Sequence, residues 1–175
     1  MARIALFASG TASNARRILE YNGYRSSGTS NYSAPAGTRR GRIVCAISDR
    51  KNSGIHALSE AAGIPCTTVS YQPGRAQAER TILAVLREFR VDLLVLAGYM
   101  RILGPSTVRA YRDRIVNIHP SLLPAFPGMN AIERSFAAGM PRGGVTVHIV
   151  NEGVDTGRVL AQASFDRSLS ATLKS

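Results

Sequence analysis

The amino-acid sequence predicts an α/β fold built on a single open, mostly parallel sheet with helices on both faces. Three observations carry that expectation. Short, continuously apolar runs alternate with longer segments of helical period, which is how buried parallel strands and their crossovers read. The turn after the first run is made of small residues, Ser9-Gly10-Thr11-Ala12-Ser13-Asn14. A chain of 175 residues, 45% of them hydrophobic, reads as one domain over 1–175 that buries roughly 70% of its unfolded surface.

Taken in order, Arg3–Ala8 reads as a buried strand and Asn14–Tyr21 as the opening of a helix. Arg42–Ser48 (RIVCAIS) is the second strand, Gly54–Ala62 a helix ended by Gly63, and Cys66–Val69 a short third strand. Ala76–Phe89 places Ile82, Leu83, Val85, Leu86 and Phe89 at the spacing of an amphipathic helix. Val91–Leu96 (VDLLVL) is the most apolar strand, and Ile115–His119, Gly144–Val150 and Val159–Phe165 complete the set. The arrangement is Rossmann-like. Tyr21–Gly41 breaks the pattern: rich in Gly, Ser, Thr and Asn and without an apolar period, it reads as a long flexible surface loop.

Composition excludes several classes. No run of about 18 apolar residues spans a membrane, and the N-terminus lacks the order of a secretory signal. Cys45 and Cys66 lie in apolar stretches and read as reduced core residues, which suits a cytoplasmic protein. The net charge is +11, and all but Lys51 and Lys174 of the 22 basic residues are arginine. They are scattered, aromatics are only 6% and Trp is absent, so no basic stripe with stacking rings marks a nucleic-acid partner. Two readings of the charge stay open: an arginine-rich solvated surface, or a field that draws anionic ligands.

Ligands of open parallel sheets bind beyond the carboxyl ends of strands, and three motifs fall there. Ser9–Asn14 follows the first strand; exposed N–H groups at a helix N-terminus could hold a phosphate, or Ser13 or Asn14 could be a plain N-cap. It is neither a P-loop nor a G-x-G-x-x-G fingerprint. In Asn117-Ile118-His119-Pro120-Ser121-Leu122-Leu123-Pro124, strand alternation puts Asn117 and His119 on one face, and the prolines end the strand and stiffen the loop. A carboxamide beside an imidazole offers a donor for a developing oxyanion and a group that carries a proton near neutral pH; the other role open to the pair is satisfying backbone groups at the strand end. Asp155, in Gly144–Gly157, could orient His119, or be an ordinary turn aspartate. His148 reads as a structural strand residue and His56 as surface. No metal-ligand spacing links His119, His148 and Asp155.

The ordered set SGTASN, AGYMRIL, NIHPSLLPAFPG and VTVHIV…VDTG resembles the phosphoribosylglycinamide formyltransferases of the folate-dependent formyltransferase family, over roughly Arg3 to Phe165 with Tyr21–Gly41 as an insertion. The PSLLPAFPG form is that of the branch acting on glycinamide ribonucleotide; methionyl-tRNA enzymes usually carry Arg-Gly where this chain has Pro127-Gly128. The resemblance implies the formyltransferase fold. It implies transfer of a formyl group from the co-substrate 10-formyltetrahydrofolate to the amine of glycinamide ribonucleotide in purine biosynthesis, with no metal. It implies Asn117, His119 and Asp155 as catalytic residues and Ala12, Ser13 and Asn14 as holders of the substrate phosphate. Arg75, Met100, Arg101, Ile102, Leu103, Asn117 and the loop Asn151, Glu152, Gly153, Val154 and Asp155 would line the folate. On the residues alone, Met100, Ile102 and Leu103 serve equally as core. The partners implied are these small molecules, with the chain a monomer or weak homodimer.

Two departures stand out. The family usually has Gly where Ala12 stands, and alanine tolerates positive φ less well. Family members also continue past the position of Ser175 with a helix carrying an acidic contact and a further strand, so the C-terminal helix and strand are expected to be missing. The competing readings are an inactive or ligand-binding shortened relative, a formyltetrahydrofolate hydrolase, and a methionyl-tRNA formyltransferase core.

Overall fold

The computed structural model describes residues 1–24 and 41–167. These form β1 (Arg3–Phe7), α1 (Ser13–Tyr21), β2 (Arg42–Ser48), α2 (Ile55–Ala61), β3 (Cys66–Thr68), α3 (Arg75–Glu88) and β4 (Leu93–Leu96). They continue with α4 (Pro105–Ala110), β5 (Ile115–His119), α5 (Ala131–Ala137), β6 (Arg142–Ile149) and β7 (Val159–Asp166). The result is an open, mostly parallel seven-stranded sheet in the order β3-β2-β1-β4-β5-β6-β7. The chain groups into two compact units, one ending at Ile115 and the other beginning at Val116. Of the expected loop Tyr21–Gly41, residues 25–40 lie outside the described residues, as does the C-terminal segment 168–175.

In the first unit β1 pairs in parallel with β2 and β4, and β2 with β3. The strands are apolar along their length because both faces are covered, so Leu6, Phe7, Ile47 and Leu94 are all fully buried. α3 buries Ala78, Ile82, Val85 and Leu86, the row i, i+4, i+7, i+8 that defines one helical face. Every strand of this half is where the apolar pattern puts it. The cysteines are free: Cys45 is buried and Cys66 half-buried. Burial pushes the Cys45 thiol up to about 12.

Two helices were not expected. α4 and α5 have six and seven residues, too short for a period to be read. α4 also takes its N-terminal partner from a distant helix: the buried Glu79 of α3 accepts from the Thr107 backbone N–H at 3.2 Å. Gly104 makes room for that carboxylate, since a Cβ there would run into it.

The second unit holds the antiparallel part of the mostly parallel sheet. β6 runs antiparallel to both β5 and β7. Residues 150–158 between β6 and β7 are fewer than the dozen or more a parallel crossover needs, so the chain turns back on itself. All eight residues of β7 are exposed.

Candidate active site

The loop after β1 belongs to the first unit and is braced from two sides. Ser9 is buried; its N–H donates to Gly98 O at 3.1 Å and its hydroxyl accepts the Met100 N–H at 2.8 Å. The Gly54 N–H and the Ser53 hydroxyl both donate to Gly10 O, at 2.9 and 3.2 Å. Ala12 is the N-cap of α1 at φ 58°, ψ 31°, the left-handed conformation for which glycine is the usual occupant. No side chain caps the helix: Ser13 and Asn14 stand inside its first turn. The plain N-cap alternative is therefore not what the chain adopts, and among the described residues no side-chain cap hydrogen bond closes this end of the nine-residue helix.

Around the carboxyl ends of β2 and β4 in the same unit, Arg101 donates from Nε to Asp49 Oδ2 at 2.8 Å. Its guanidinium lies 5.1 Å from the centre of the Tyr71 ring, and the Tyr71 and Tyr99 hydroxyls are 3.1 Å apart. Burial drives both phenols to higher pKa. Met100 and Ile102 are largely exposed whereas Leu103 is buried, so of the three residues that could equally be core only Leu103 is. Arg75 opens α3 and is exposed.

In the second unit, Asn117, His119 and Asp155 form one cluster. β5 carries Asn117 and His119 two residues apart, and Asp155, after β6 at φ 52°, reaches back to both. Asp155 Oδ2 lies 3.2 Å from His119 Nδ1 and accepts the Gly128 N–H at 2.7 Å; Oδ1 lies 3.4 Å from Asn117 Nδ2. His119 Nε2 meets the Phe126 carbonyl at 2.9 Å. Both ring nitrogens of His119 thus face acceptors, and only the doubly protonated ring makes both hydrogen bonds. The ring is buried, so the carboxylate's field acts with little screening by solvent.

The loop that presents Phe126 and Gly128 is held from β6. Thr146, fully buried, donates to Ser121 O at 2.6 Å and accepts from the Leu123 N–H at 3.0 Å and Gln162 Nε2 at 2.9 Å. The Ser121 hydroxyl donates to Ala125 O at 2.6 Å. Phe126 and Asn130 take positive φ, of 54° and 56°, so the loop turns sharply twice at non-glycine residues. Asn151 folds the following loop by accepting from the Gly153 N–H and the Thr156 hydroxyl. Residues Asn151, Glu152, Gly153 and Val154 are exposed.

The formyl transferase family model matches residues 2–173 of this sequence. The chain belongs to the formyl transferase family. It is similar to the phosphoribosylglycinamide formyltransferase of Bacillus subtilis, 38% identical over 170 residues that cover 95% of this chain and 80% of that one. The enzyme of the same name from Mycobacterium tuberculosis is 37% identical over 163 residues, 92% of this chain and 69% of that one. Among solved structures, glycinamide ribonucleotide transformylase 1 from Geobacillus kaustophilus superposes with a TM-score of 0.88 at 36% identity, covering 99% of this chain and 87% of that one. No helix among the described residues of this formyl transferase is long and apolar enough to cross a membrane. No cluster of three His, Cys, Asp or Glu among them could hold a metal ion.

One member of the cluster escapes the sequence reading. His148 is the cross-strand partner of Asn117. It is 1% exposed, and its Nε2 lies 3.1 Å from Asn117 Nδ2 and 3.4 Å from Asp155 Oδ1. The signal that finds it is the polar alternation of VTVHIV, Thr146 and His148 on one face as Asn117 and His119 are on theirs, once the two strands are known to pair.

Proposed function

We propose that this formyl transferase moves the formyl group of 10-formyltetrahydrofolate onto the amine of glycinamide ribonucleotide, a step of de novo purine biosynthesis. The observation that carries the proposal is the buried His119 ring with Asp155 on one nitrogen and a backbone carbonyl on the other. The amine nitrogen attacks the formyl carbon, charge gathers on the formyl oxygen, and His119 donates to that oxygen in place of the Phe126 carbonyl. A donor so placed is worth roughly 3–4 kcal/mol in acyl transfer. The attacking nitrogen then loses a proton and the leaving folate nitrogen gains one, with His119 the group placed to pass it. Asp155 holds the ring in register throughout. The Asn117 carboxamide lies beside it as the third catalytic residue.

In this reading the N–H groups at Ala12, Ser13 and Asn14 take the substrate phosphate, whose charge the helix N-terminus favours. Arg75, Met100, Arg101, Ile102 and Leu103 line the folate, as does the loop Asn151–Asp155. Met100 and Ile102 suit that role by their exposure. The partners are these two small molecules, the compartment the cytoplasm, and the chain a monomer or weak homodimer. The test is formyl transfer from 10-formyltetrahydrofolate offered glycinamide ribonucleotide, methionyl-tRNA or water alone. Product with the first, together with a loss of turnover of at least about 100-fold in His119→Ala and Asp155→Asn, is expected. Formylated tRNA or free formate as the main product would replace the substrate assignment.

A further inference from the structure

We infer that Asp49 is a positioning residue: it holds the Arg101 guanidinium so that its two Nη atoms stand ready for a carboxylate of the folate co-substrate. This rests on the proposed reaction only for what the ligand is. Four neighbouring strands, in the order β3-β2-β1-β4, each supply one restraint at or just past their carboxyl ends. Phe7 closes β1 and meets the Tyr99 ring edge-on, with 5.2 Å between centres. Tyr99, after β4, shares a hydrogen bond of 3.1 Å with Tyr71, after β3. The Tyr71 ring in turn carries the Arg101 guanidinium on its face, 5.1 Å from the ring centre. Asp49, after β2, accepts from Arg101 Nε at 2.8 Å. A ring against the face and a carboxylate at one edge fix both the plane of the guanidinium and its rotation within that plane.

Two observations say that the pair does more than tie loops together. The Asp49 side chain is 0% exposed and that of Arg101 49%, so the anion is sealed away while the cation stays open. Asp49 Oδ1 is buried and has no hydrogen-bond partner among the described residues. A buried carboxylate oxygen left unpaired is destabilising, and a pair serving stability alone would satisfy both oxygens. On Arg101, only Nε is engaged among the described residues. Nη1 and Nη2 present the planar fork that fits a carboxylate at two points. Of the two proposed reactants only the folate carries carboxylates, on its glutamate. The charge of Asp49 repels such a ligand, so what Asp49 contributes is orientation. It spares the ligand the ordering of one long side chain, about 2–12-fold in affinity.

The test compares Asp49→Ala with Asp49→Asn in the full chain. Both remove the charge, and only asparagine keeps an oxygen for the Arg101 Nε–H. The dissociation constant of 10-formyltetrahydrofolate, measured by calorimetry, should be about 2–12-fold weaker in Asp49→Ala than in Asp49→Asn, with kcat at saturation alike. A co-substrate whose glutamate is replaced by a neutral methylamide should bind the two variants equally. In proton–nitrogen spectra the Arg101 Nε–H, assigned by its loss in Arg101→Lys, should be protected from exchange in the wild type and in Asp49→Asn but not in Asp49→Ala. The wild-type spectrum decides even where a variant does not fold. Equal dissociation constants, or an unprotected Nε–H in the wild type, overturn the inference, and a ratio that survives with the methylamide overturns the carboxylate assignment. The expected ratio in a protein that transfers no formyl group supports the role of Asp49 and overturns the proposed reaction alone.

Discussion

Ala12 gives the sharpest test of the loop after β1. It caps α1 at φ 58°, where an L-residue with a Cβ is strained by roughly 1–2 kcal/mol. Ala12→Gly relieves that strain, but it removes a methyl that is only 5% exposed, worth about 0.8 kcal/mol, and adds unfolded-state freedom worth about 0.4–1 kcal/mol. The sum lies within roughly 0.8 kcal/mol of zero by these same values. Ala15 supplies the control: three residues on in α1, packed in the same core cluster and 0% exposed, with ordinary helical backbone. Ala15→Gly loses the methyl and about 0.5–1 kcal/mol of helix preference, roughly 1.3–1.8 kcal/mol before any cavity term. Urea denaturation followed by circular dichroism should therefore separate the two variants by about 1–2 kcal/mol at unchanged m-value. If Ala12→Gly costs as much as Ala15→Gly, the strain at position 12 is not there and the reasoning fails.

Other substitutions probe the supports of the site. Thr146→Val leaves the buried Leu123 N–H without its acceptor and should cost about 1–3 kcal/mol in chemical denaturation, whereas Thr146→Ser should cost little. Gly104→Ala drives a Cβ into the Glu79 carboxylate and Glu79→Ala strips the Thr107 N–H of its acceptor. The double variant should be more stable than the two single losses predict, by about 0.5–3 kcal/mol in a thermodynamic cycle; strict additivity would refute the contact. Cys45 is neutral in the folded protein and its thiol is raised from 9.0 to about 12, so its stabilising effect is complete below pH 9.0 and lost as pH rises toward 12. Stability should fall there by about 1.4 kcal/mol per pH unit from this group, and Cys45→Ala should flatten that limb of the profile.

What could be read in advance depended on whether the signal was local. β1, β2 and β4 stand where unbroken apolar runs put them, because a strand buried on both faces needs no knowledge of its neighbours. The pairing of Asn117 with His119 was equally plain from alternation along β5. α4 was invisible because Glu79, 28 residues before Thr107, completes its first turn. His148, read as a structural strand residue, does lie buried in a strand. Its contacts were not legible for a related reason: they depend on β6 lying antiparallel to β5 and bringing it opposite Asn117. The sharp turn at Phe126, whose carbonyl reaches His119, likewise arises from a loop tied to Thr146 on another strand. Alternation names a face; only the sheet names who looks at it.

The carbonyl of Phe126 on His119 Nε2 bears on selectivity between a bound reactant and its activated form. A neutral carbonyl oxygen arriving at that nitrogen would exchange one carbonyl acceptor for another of the same kind, with no net gain. Once the oxygen becomes anionic the same contact joins two opposite charges and is stronger than with any neutral carbonyl. If His119 acts as proposed, the resting hydrogen bond sets the zero against which the substrate competes, and cancels attraction for the reactant while leaving it for the transition state. A backbone atom that seems only to satisfy a histidine thereby acts as a threshold, one that mutation of side chains at position 126 would leave in place.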